Sequence, residues 1–149
     1  MGSQNNHTGT TTITDGDLVL GVIISRDFSS ENTSFITPED SPQQLALMAY
    51  SQTDEISPHI HNTAPRIVQH TQEVLIIVEG KLRVDFYSLN KSYVKSHIVS
   101  TGDVLLLYQG GHGFFFVEDT RMIEVKNGPY LGEIDRTKFP PVISSQIHF

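Results

Sequence analysis

The sequence predicts an all-β domain, on three observations. From Glu73 onward, short apolar segments recur about every ten residues with a turn signal at each join, the spacing of a sandwich or barrel. Within them, apolar and polar residues alternate: in "KLRVDFY", Leu82, Val84 and Phe86 stand against Lys81, Arg83, Asp85 and Tyr87. No stretch sustains a helical period.

Taken in order, residues 1–16 are rich in Thr, Asn and Gly with almost nothing apolar, and read as a mobile leader. "DLVLGVIIS" (17–25) is a β-branched apolar run that suits a buried strand. Pro38 and Pro42 mark 29–42 as a surface connection, and "QQLALMAYSQ" (43–52) reads as a strand. "EVLIIVE" meets "KLRVDFYSL" across Gly80, and "YVKSHIVS", "VLLLY", "FFFV" and "RMIEVK" follow with turns between them. These strands fill a domain over 17–128. Gly-Pro and Pro-Pro breaks make 129–149 an irregular extension lying on that body.

A net charge of −7 on 149 residues argues against nucleic acid or an anionic membrane as partner. No apolar run reaches the roughly 18 residues of a membrane span, and the N-terminus lacks a signal-peptide layout, so the expected location is cytoplasmic. With no cysteine, disulfides, thiolate ligands and a cysteine nucleophile are excluded. No serine lies in a Gly-x-Ser-x-Gly elbow, and "QGGHGF" is a strand-joining turn rather than a phosphate cradle. The barrel interior is left as the place for a site.

Three of the seven histidines fall in "PHIHNTAPRIVQHTQEVLIIVEG" (58–80). Residues at i and i+2 of a strand share a face, so His59 and His61 can point the same way. Glu73 opens the next strand, and His112 lies among Gly110, Gly111 and Gly113. Three imidazoles and a carboxylate form a nitrogen/oxygen set suited to a divalent metal such as Zn, Mn, Fe(II) or Ni. The alternative is a hydrogen-bonded polar cluster without metal. His70, three residues before Glu73, is a candidate to replace one of the pair. Arg66 is placed to clamp a carboxylate or phosphate, or else to pair with a surface acid. Glu124 and Lys126 share one face of "RMIEVK", and the pattern leaves open whether that face lines the cavity.

These residues resemble the cupin family of double-stranded β-helix (jelly-roll) proteins. His59-Ile60-His61, Glu73 and Gly80 match the first cupin motif, with eleven residues instead of three or four between His61 and Glu73. Gly102, Gly110 and His112 match the second, with Tyr108 in place of its proline. The resemblance covers about residues 43–128, and is nearest to small single-domain bacterial cupins. It implies a jelly-roll barrel, a metal held by His59, His61, Glu73 and His112, and a homodimer. A small polar ligand in the barrel is the accompanying expectation, with Arg66 and Tyr108 as its candidate contacts. Glu73 would double as a general base in isomerase or dioxygenase chemistry on a sugar or carboxylate-type metabolite. A non-enzymatic small-molecule sensor is the other expectation.

Overall fold

A computed structural model describes residues 7–149, and they form an all-β molecule. The strands are β1 (His7–Asp15), β2 (Leu18–Ser30), β3 (Thr33–Phe35), β4 (Ala46–Met48), β5 (Glu73–Glu79) and β6 (Lys81–Tyr87). β7 (Tyr93–Ser100), β8 (Val104–Leu107), β9 (Gly111–Phe116) and β10 (Arg121–Lys126) follow. Two 3-10 turns, Gly132–Asp135 and Ser144–Gln146, are the only regular elements of the C-terminal segment.

The leader is corrected over most of its length: residues 7–15 are a strand, and 1–6 lie outside the described residues. An edge strand pairs through its backbone, so it needs few inward apolar residues. Ile13 is the buried one, and the threonines suit a pleated surface open to water. Register explains the rest. Thr10 and Thr12 pair with Ile24 and Val22, while Ile13 pairs with Gly21 in the core. Between Ile13/Gly21 and Thr14/Val19 the register slips, leaving Leu20 as an extra residue that also turns inward.

The order β1-β2-β8-β5-β10 makes one sheet, β7-β6-β9 a second, and β3-β4 a hairpin. All ladders are antiparallel. The two larger sheets pack face to face over one core: Ile23, Leu75, Ile77, Leu105 and Leu107 meet Leu82, Val84, Phe86 and Val99. Full burial of each such side chain is worth about 1.5–3 kcal/mol. The ladders do not close on themselves; β10 and β9 remain free edges of their sheets, giving an open sandwich in place of the expected closed barrel.

The outer face of the large sheet is apolar too. Ile24–Val104–Ile76–Ile123 and Val22–Leu106–Val74–Val125 form two cross-strand rows, buried at the β2 end and exposed at the β10 end. That second apolar face is what made the direction of "RMIEVK" undecidable from its pattern. Ile123 and Val125 take the outside, so Met122, Glu124 and Lys126 face inward opposite Ile77, Leu75 and Glu73.

Candidate functional site

Strand alternation brings two of the expected residues together. Glu73 shares its face of β5 with Leu75 and Ile77, both in the core. On β9, His112 pairs with Phe86 and Phe114 with Val84, so both point inward. Across the sandwich, His112 Nε2 lies 3.3 Å from Glu73 Oε2. The other Glu73 oxygen is 3.7 Å from Lys126 Nζ, which is 2.6 Å from Glu124 Oε1. The His112 ring is tilted against Phe114 at 5.4 Å between centroids. The His112 imidazole holds Glu73 below the usual carboxylate range; burial opposes that shift, and the charge of Lys126 adds to it. Glu73 is therefore kept anionic.

The cluster opens on a groove of about 970 Å³ that runs round the free edge of β9. Its inner limb is bordered by Glu73, His112, Glu124 and Lys126, with Tyr108 and His70 also on the lining. The C-terminal segment forms the opposite wall. Tyr130 there has the Lys126 ammonium 5.3 Å from its ring centroid, and Arg136, paired with Glu133 at 3.0 Å, also borders the groove.

The remaining expected ligands are elsewhere. His59 and His61 lie in the 49–72 connection, which has no strand and is exposed from residue 51 to 71. Their rings touch edge to face at 5.1 Å, and His59 Nδ1 contacts the Ser57 carbonyl at 3.0 Å. Among the described residues, no group of three or more His, Cys, Asp or Glu could hold a metal ion. Residues at i and i+2 share a face only inside a ladder, and this segment has none, with Pro58 and Pro65 each removing a donor. Among the described residues Arg66 donates only to the Ala64 carbonyl, at 3.3 Å, and it does not border the groove.

Sequence reasoning missed Tyr130 and Arg136, because an irregular segment carries no periodicity to aim its side chains. It also passed over Arg83 and Asp85 as ordinary polar positions of an alternating strand. Comparison of the chain with family models, curated proteins and solved structures returned no match.

Proposed function

We propose that the protein is a cupin-like sandwich that binds a small hydroxylated or carboxylate-bearing metabolite in the inner limb of the groove and moves a proton there through His112. The observation that carries this reading is the 3.3 Å approach of His112 Nε2 to Glu73 Oε2 inside that groove. A carboxylate against one ring nitrogen fixes the imidazole and leaves the other nitrogen for a ligand. Because Glu73 is held anionic it is a weak base. Its role is to position the ring, and the proton-transferring role passes to His112.

Lys126 and Glu124 supply a donor and an acceptor for ligand oxygens. Phe114 and Tyr130 supply apolar faces of the kind that pack on the C–H side of a sugar. An isomerisation would have His112 take the proton from the hydroxyl-bearing carbon beside a carbonyl and return it to the carbonyl carbon, while the hydroxyl proton passes to the carbonyl oxygen by way of Lys126 or Glu124. Kinship with cupins rests on the motif spacing together with the two-sheet architecture. A resident metal fits these residues poorly, since His59 and His61 stand outside the groove and a lysine ammonium already faces Glu73.

Calorimetric titration with a panel of simple sugars and hydroxy acids tests the proposal. At least one should bind, and His112→Ala should weaken it about tenfold, the usual loss when a hydrogen bond to a charged group is removed. Equal binding by wild type and His112→Ala overturns it. A bound ligand whose carbon-bound hydrogen never exchanges in D₂O identifies a binding module without catalysis.

A further inference from the structure

The outer limb of the groove has a separate chemistry. On the face of β6 turned away from the core, Arg83 donates to Asp85 through Nε at 2.7 Å and Nη2 at 3.0 Å, a bidentate pair. Asp85 is only 3% exposed, and its Oδ1 also accepts from Ser96 Oγ at 2.5 Å. Ser96 is fully buried, and its Oγ lies 2.8 Å from Tyr93 Oη. Each acid oxygen is thus occupied, while three of the five guanidinium N–H groups remain. A guanidinium clamped this way loses little freedom when it meets a ligand.

Arg83 sits beside a flat apolar shelf. Its strand partner Phe115 is 56% exposed, with the Arg83 guanidinium carbon 4.9 Å from its ring centroid. The floor next to them is empty. A Cβ on Gly113, the partner of Asp85, would meet nothing within 4 Å except Tyr87 Cε2 at 3.8 Å. Phe139 and Lys91 stand on the far wall, Lys91 Nζ 6.0 Å from the Phe139 centroid. Lys91 makes no ion pair among the described residues. Five basic and four acidic side chains border the whole groove, against ten and seventeen in the chain.

We propose that this outer limb is a second subsite, which takes an anionic group carried on a flat ring: the oxygens on Arg83 and Lys91, the ring on Phe115 above Gly113. A phosphate and a carboxylate share this chemistry. The Asp85–Ser96–Tyr93 chain, buried at Asp85 and Ser96, accounts for anchoring the C-terminal segment, since Tyr93 Oη donates to the His148 carbonyl at 2.9 Å. It does not account for a guanidinium held against an exposed ring.

The test uses the full chain and three probes, phenyl phosphate, benzoate and inorganic phosphate, titrated by NMR. Phenyl phosphate should bind saturably and about tenfold tighter than inorganic phosphate, the difference being the ring on its shelf. Phe115→Ala, at an exposed position, should bring the two within about twofold. Arg83→Lys keeps the charge opposite Asp85 but loses the fork, and should weaken phenyl phosphate about tenfold. Benzoate binding as tightly as phenyl phosphate marks a carboxylate subsite and weaker benzoate a phosphate one; both support the proposal. His112→Ala, which disables the inner limb, should leave phenyl phosphate bound, so failure of the proposed function and failure of this subsite are told apart. Absence of saturable phenyl phosphate binding overturns it. So does binding that neither Phe115→Ala nor Arg83→Lys changes.

Discussion

Two histidine-bearing segments of this chain look equally promising as sequence and end in opposite conditions. "QGGHG" is held in the β9 ladder, where pairing to β6 fixes His112 inward against Glu73. "PHIH" lies in an exposed connection without a ladder, and its two imidazoles contact each other and a nearby carbonyl. Spacing alone does not aim a side chain. The i, i+2 rule states that two residues share a face, and only strand pairing decides what that face looks at.

The contrast can be broken most severely from the ladder side. Gly110 adopts φ +74°, and a Cβ there would run into the Tyr87 carbonyl oxygen and lie 2.7 Å from Leu20 Cδ2. Gly110→Ala should cost about 2–4 kcal/mol in denaturant unfolding, since both the backbone conformation and the space are denied. A loss below about 0.5 kcal/mol, the range of ordinary surface substitutions, would show that the turn before His112 is not held as the structure has it.

A smaller effect comes from acid. Glu73 is lowered in the folded protein, so its contribution is present above the ordinary carboxylate range and fades as pH falls through the folded value. Unfolding measured between neutral pH and about pH 3 should therefore show a shallower acid loss in Glu73→Gln than in wild type. Identical slopes would remove the linkage between Glu73 and His112. The smallest effect belongs to the connection: His59→Ala with His61→Ala should change stability by less than about 0.5 kcal/mol. Elemental analysis sharpens the same comparison. Stoichiometric metal in wild type that vanishes in this double variant would join the two segments that the structure keeps apart.

Much of the fold was legible because alternation is a local property. The run at 81–87 carries it plainly, those at 73–79, 93–100 and 121–126 are apolar segments bounded by turn signals, and each of the four is a strand of the structure. β1 was not legible, since an edge strand with Ile13 as its one buried apolar residue resembles a polar leader in composition. Half of the site was legible for the same reason that the strands were: Glu73 and His112 lie in ladders, where pairing fixes the face each side chain takes. Lys126 and Glu124 needed to know which of two apolar faces is the interior. Tyr130 and Arg136 needed the path of a segment whose direction no period records.

The contact of the C-terminal segment with β7 has a consequence for how the molecule behaves in a crowd. β7 ends the small sheet, and the Ser96 N–H at its middle donates to the His148 carbonyl at 2.8 Å instead of facing water. An edge strand with a vacant ladder position invites a neighbouring chain to pair there. Residue 148 fills that position, so the segment doubles as a guard against stacking between molecules. Chains shortened before residue 148 would then gain a tendency to grow sheets from this edge, visible as concentration-dependent light scattering while the sandwich core stays folded.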